Sequence, residues 1–93
     1  MEITEVRITP REGEGRLKGF ANITFDDSFV VRGIRIVEGD EGLFVSMPSH
    51  RKPDGTYQDI AHPINNETRS VIEGRIIGAY KNALTEGVKQ PEE

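Results

Sequence analysis

The sequence predicts an α+β domain, a small antiparallel sheet of about five strands followed by one C-terminal helix. Three observations lead there. Short runs between residues 2 and 61 alternate apolar and polar side chains, the period of a strand with one buried face. Clusters of Gly, Asp and Pro separate these runs. Beyond residue 65 the apolar spacing changes to three and four, the period of a helix.

Residues 2–8 read as the first strand, with Val6 and Ile8 on one face and Ile3 on the other. Pro10 to Gly15 is a loop. Arg16 to Phe25 is the second strand. Leu17, Gly19, Ala21, Ile23 and Phe25 share a face there, and Phe20 is the exception on the polar side. Asp26-Asp27-Ser28 makes a tight turn, because Asp tolerates left-handed backbone. Phe29 to Glu38 then returns as an antiparallel third strand. In it Phe29, Val31 and Val37 point one way, and Val30, Ile34 and Ile36 the other. A strand apolar on both faces needs cover on both. One helix covers one face, and the second needs a loop, a subunit or nothing at all; if a subunit covers it, Phe29, Val31 and Val37 are the residues expected at the dimer interface.

Leu43 to Met47 is a short fourth strand after the turn Gly39-Asp40-Glu41-Gly42, and Pro48 ends it. Residues 48–55 form a long loop closing on Pro-Asp-Gly. Thr56 to Ala61 is the fifth strand, ended by Pro63. The helix runs from about Asn66 to Leu84, with Asn65 as N-cap. Ile72, Ile76, Ala79, Tyr80 and Ala83 make its apolar stripe. Gly74 and Gly78 each cost roughly 1 kcal/mol against Ala, unless their spacing of four serves a close backbone approach. Residues 1–84 make a single domain, and 85–93 is expected to be a disordered tail.

The chain has 93 residues, 34% hydrophobic and 30% charged, and no Cys. Disulfides and thiolate metal sites are excluded, which fits a reducing cytoplasm. Two His without Cys argue against a structural zinc site, and no metal or cofactor is expected. The N-terminus reads as a strand and not as a secretion signal. No apolar run approaches the ~20 residues of a transmembrane helix. A domain this small is thinly stable, and self-association is the remaining way to gain buried area. Net charge is -4, yet residues 48–84 carry five Lys/Arg against four acids.

The loop Ser49-His50-Arg51-Lys52 has two readings. Arg51 and Lys52 supply charge for phosphate, with Ser49 and backbone N–H groups to position it. Alternatively it is a solvated turn whose cations are neutralised by Asp54 and Asp59. Arg69, Arg75 and Lys81 on the helix would extend a nucleic-acid face beside the loop. By residue type alone they describe an ordinary solvent face, with Arg69 and Glu73 as an i,i+4 pair. Phe44 reads as core, and Tyr57 is open between core and base stacking. His62 reads as a side chain bonded to backbone near the helix start. Ser49, His50 and Asp54 have the residue types of a hydrolase triad without its nucleophile turn or oxyanion site. No catalytic residues and no small-molecule substrate are expected, so the chain is not read as an enzyme.

Residues 42–65 are distinctive. The constellation Met47-Pro48-Ser49, Pro53-Asp54-Gly55, Asp59-Ile60 and His62-Pro63-Ile64-Asn65 strongly resembles the signature of the SpoVG family (stage V sporulation protein G). Residues 1–7, the run Phe29-Val30-Val31 with Ile34-Arg35-Ile36-Val37, and Asn65 to Arg69 with Tyr80 extend the similarity over nearly all of 1–84. The resemblance implies a bacterial cytoplasmic regulator of septation and, in spore formers, of sporulation. It implies a homodimer, and some members bind DNA or RNA; the residues read above as able to carry such contact are Ser49, His50, Arg51, Lys52, Arg69, Arg75 and Lys81. His50 stands where the family usually has Lys or Arg, and Lys52 where a small polar residue is common. The alternative is a protein–protein adaptor of the division machinery without nucleic-acid contact.

Overall fold

A computed structural model describes residues 1–85 except 12 and 14. The strands are β1 (Ile3–Pro10), β2 (Leu17–Phe25), β3 (Phe29–Gly39), β4 (Gly42–Ser46), β5 (Ser49–Arg51) and β6 (Tyr57–Asp59), and the helix is α1 (Asn66–Thr85). The α+β class and the closing helix are as expected. The strands number six where about five were expected, and they divide between two sheets. β1 to β4 form a four-stranded antiparallel meander, and β5 and β6 form a separate two-stranded ribbon. The expected tail lies outside the described residues apart from Thr85, whose hydroxyl donates to Lys81 O at 3.0 Å and closes the helix.

The turns form as their residues dictate. Asp26 and Asp27 both take left-handed backbone, φ 53°, and Ser28 N–H donates to Phe25 O at 2.9 Å. The turn is also tied to the first strand. Glu2 N–H donates to Asp26 Oδ1 at 3.0 Å, and Asp27 N–H donates to Thr4 Oγ1 at 2.9 Å. Asn65 caps the helix through Oδ1, which accepts Thr68 N–H at 2.7 Å and satisfies one of the first-turn donors.

Strict alternation fails at three register shifts, one of them between Leu17 and Gly19, which sets Leu17 opposite Val37 and off the face it was expected to share with Gly19, Ala21, Ile23 and Phe25. Thr4 is the extra residue where the β1–β2 register shifts, so Ile3, opposite Phe25, joins the face of Val6 and Ile8. In β3 the register jumps between Val31, opposite Ile23, and Ile34, opposite Ala21. Gly33, φ 77°, sits in the inserted turn of backbone, and its N–H reaches Asn22 Oδ1 at 3.3 Å. The insertion moves Phe29 and Val31 to the side of Ile34 and Ile36. Val37, paired with Leu17 and Phe44, stays on the other. Phe29, Val31 and Val37 therefore do not share a face, contrary to the period-two reading.

The core lies between the sheet and α1. Ile23, Ile34, Ile36 and Ile76 are its largest fully buried side chains, with Ile72, Tyr80 and Ala83 closing the helix side. The helix packs across the meander from β1 to β4, and the opposite sheet face has no cover among the described residues. Phe44 lies on that open face, 47% exposed, and is not core. A Cβ at Gly39 would meet the Phe44 ring at 3.0 Å, so the ring lies along the glycine. Gly74 and Gly78 have open space where a Cβ would be, so no close backbone approach explains them.

Glycine substitutions in the helix and in β3 should therefore act in opposite directions. Gly74→Ala or Gly78→Ala should stabilise by about 0.5–1 kcal/mol each, through backbone entropy and helix propensity. Gly33→Ala should destabilise by about 1–2 kcal/mol, because left-handed backbone disfavours a Cβ even without a clash. Urea melts of the three variants measure both signs.

Candidate nucleic-acid interface

The expected loop 48–55 is half of a β ribbon. Ser49 pairs with Asp59, His50 with Gln58, and Arg51 with Tyr57. Pro53-Asp54-Gly55 turns the chain. Gly55 N–H donates to Lys52 O at 2.9 Å, Gly55 takes φ 92°, and Lys52 N–H donates to Thr56 O at 2.7 Å. This is a type I turn followed by a left-handed glycine, a common three-residue hairpin loop. Asp54 Oδ1 accepts both Thr56 N–H at 3.0 Å and Thr56 Oγ1–H at 2.7 Å. These bonds hold the Asp54 carboxyl below its ordinary value of 3.8, the backbone N–H first and the hydroxyl second.

The ribbon's backbone also joins its own base, where Ile60 N–H donates to Pro48 O at 2.7 Å. His50, Arg51, Lys52, Tyr57 and Ile60 are exposed, Tyr57 by 65% and Ile60 by 67%. Among the described residues neither Arg51 nor Lys52 forms an ion pair, so Asp54 and Asp59 do not neutralise them by contact. Alternation places Arg51 and Tyr57 on one face of the ribbon and His50 with Gln58 on the other.

The helix cations do not gather into one surface. Arg69, Arg75 and Lys81 are six residues apart, which turns each by about 120° from the last at 3.6 residues per turn. Arg69 is bound to Glu73 at 3.7 Å, the expected i,i+4 pair. Arg75 lines a groove between α1 and β1 with Thr4, Gly74 and Gly78. Lys81 is exposed on another side. The ribbon residues thus lie together, and the three helix cations diverge. His62 sits at the ribbon's end, its Nδ1–H donating to Pro63 O at 3.0 Å, the backbone role expected for it.

Comparison with known proteins decides the family. The SpoVG family profile matches residues 1–82. The chain belongs to the SpoVG family. A protein of Phytoplasma australiense named "Putative septation protein SpoVG" is 50% identical over 93 residues, covering 100% of this chain and 97% of that relative. A relative of the same name from Clostridium beijerinckii is 50% identical over 88 residues, covering 95% and 97%. "Putative septation protein SpoVG 1" of Listeria monocytogenes serotype 4b is 52% identical over 83 residues, covering 89% and 81%.

Within this SpoVG chain the signature segment 47–65 has a structural meaning. It builds the ribbon, its Pro-Asp-Gly turn and the helix cap. Residue types alone missed the basic and aromatic side chains of the open sheet face, Phe20, Arg32, Arg35 and Phe44. Phe20 on the polar side of its strand was the visible signal. The two arginines were hidden by the Gly33 bulge, which brings them to one face.

The Asp54 turn has a defined pH response. Its folded-state pKa is lowered, so its contribution is complete above the unfolded value and is lost as pH falls through the folded one. A carboxyl NMR titration should show Asp54 with a midpoint below 3.8. Thr56→Val should raise that midpoint without restoring it fully, since the backbone donor remains.

Proposed function

We propose that this SpoVG-family protein is a cytoplasmic regulator of septation, and of sporulation in hosts that form spores, acting as a homodimer that binds DNA or RNA and carrying no enzymatic activity. The septation role is taken from the names of the relatives. The nucleic-acid role rests chiefly on one observation, the exposed ribbon that presents Arg51 and Lys52 without ion-pair partners. Exposed cations on a short rigid turn are suited to phosphate, and Ser49 and His50 add polar groups beside them.

The dimer is supported by what surrounds the ribbon. A free two-stranded ribbon is marginal in water and gains from a neighbouring surface. Beside it lies an apolar groove of about 200 Å³, lined among others by Phe29, Val31, Met47 and Pro63. Phe29 is 66% exposed and Ile64 88%. Phe29 and Val31 belong to this side, so the proposed interface keeps them and leaves out Val37.

The same apolar rim favours a second reading, an adaptor that engages another protein of the division machinery. Net charge of -4 also suits that reading. A salt titration separates the two. Wild type should bind oligonucleotides with affinity that falls steeply with salt. Arg51→Ala with Lys52→Ala should weaken binding and flatten the salt slope by about one unit per lost phosphate contact. No salt-dependent binding by wild type to DNA or RNA would exclude the lead reading.

Sedimentation tests the dimer independently. Wild type should sediment as a dimer at micromolar concentration and Phe29→Ser as a monomer. Phe29 is exposed, so this change should cost the monomer within about 0.5 kcal/mol.

A further inference from the structure

We propose that the open face of the four-stranded sheet is a second contact surface, one that takes unpaired bases of a single-stranded nucleic acid; this rests on the reading of the protein as a nucleic-acid binder. The face turned away from α1 carries two exposed aromatic rings, Phe20 on β2 and Phe44 on β4, at 36% and 47% exposure. Between them on β3 stands Arg35, directly opposite Phe20 on one side and Ser46 on the other. Their backbone positions are about 12 Å apart, from two strand spacings across and two residues along. Phe20 and Arg35 are direct cross-strand partners, while Phe44 stands opposite Val37 with its ring along Gly39, so the face offers two separate positions on which bases stack.

The charge of this face identifies its occupant. Arg7 is paired with Glu5 at 3.0 Å. At the rim Lys18 is paired with Glu38 at 3.5 Å and Arg16 with Asp40 at 3.3 Å. Arg32 and Arg35 form no ion pair with any described residue, so the face is locally positive in a protein of net charge -4. Arg32 also borders a depression of about 460 Å³ with Asn22, Thr24 and Val30, which sets amide and hydroxyl groups beside the Glu5–Arg7 ion pair.

A second copy of the chain fits this face poorly. A two-fold interface sets the same patch against itself, so two copies of a face with an excess of cations would meet with like net charge. A polyanion instead meets both charges and both rings. Duplex DNA keeps its bases stacked inside, out of reach of a broad sheet face, whereas a single strand exposes them.

The test compares fluorescent U12 and dT12 with a duplex of the same length. Phe20→Leu with Phe44→Leu keeps apolar bulk and removes both aromatic faces. It should weaken U12 or dT12 at least about fivefold per ring and leave duplex binding unchanged. Preference between U12 and dT12 tells RNA from DNA. In wild type, the same oligonucleotide should shift the Phe20 and Phe44 ring resonances, a readout that does not depend on the variant folding well. If wild type binds no oligonucleotide, the nucleic-acid reading fails and this inference with it. Wild type binding U12 or dT12 with unchanged ring resonances and unchanged variant affinity overturns this inference alone. So does a double variant that turns a wild-type dimer into a monomer, since the face would then be a self-interface.

Discussion

The structure depends on one torsional constraint, the left-handed backbone of Gly33 in the third strand. One residue is inserted there, and every side chain before it changes sides relative to those after it. Val31 thereby joins Ile34 and Ile36 over the helix, and Arg32 joins Arg35 on the open side. The Asn22 side chain holds the insertion from the neighbouring strand. No steric contact requires glycine, since a Cβ there would meet open space. The requirement lies in φ alone.

That constraint explains which parts of the fold were legible in the sequence. Elements whose signals are local were read correctly. Asp26-Asp27 gives the turn, Asn65 the cap, and Ile72, Ile76, Tyr80 and Ala83 the buried stripe. Face assignments failed at Ile3, Leu17, Phe29 and Val31, because period-two counting assumes an unbroken ladder. Nothing in the identities of Thr4 or Gly33 announces a bulge with certainty. The first strand of the ribbon was read as a loop because Ser49-His50-Arg51 has no apolar alternation, whereas its second strand falls within the expected fifth strand. Phe44 read as core because it sits in an apolar run, yet a four-stranded sheet roofed on one side leaves alternate residues uncovered.

The candidate site was legible as composition but not as geometry. Arg51 and Lys52 stand together because the Pro-Asp-Gly turn is tight, a local cause that the residues announce. Arg69, Arg75 and Lys81 share a charge and a helix but no direction, since a spacing of six distributes them around the axis. Charge also distributes differently from its sequence average. The ribbon carries two cations and two carboxylates, whereas the open sheet face keeps its cations after the ion pairs are counted. Local sign is a property of strand pairing here, and a running sum along the chain does not find it.

The strand order has a consequence for how the chain is made. Every sheet neighbour is also a sequence neighbour, so each pairing closes through a short hairpin and needs little loop entropy. The helix that roofs the sheet is the last element in the chain. During synthesis the meander is complete while its Ile23, Ile34 and Ile36 face still lacks a roof. Until α1 has emerged, that nascent sheet is a sticky surface, and the interval depends on elongation speed more than on final stability.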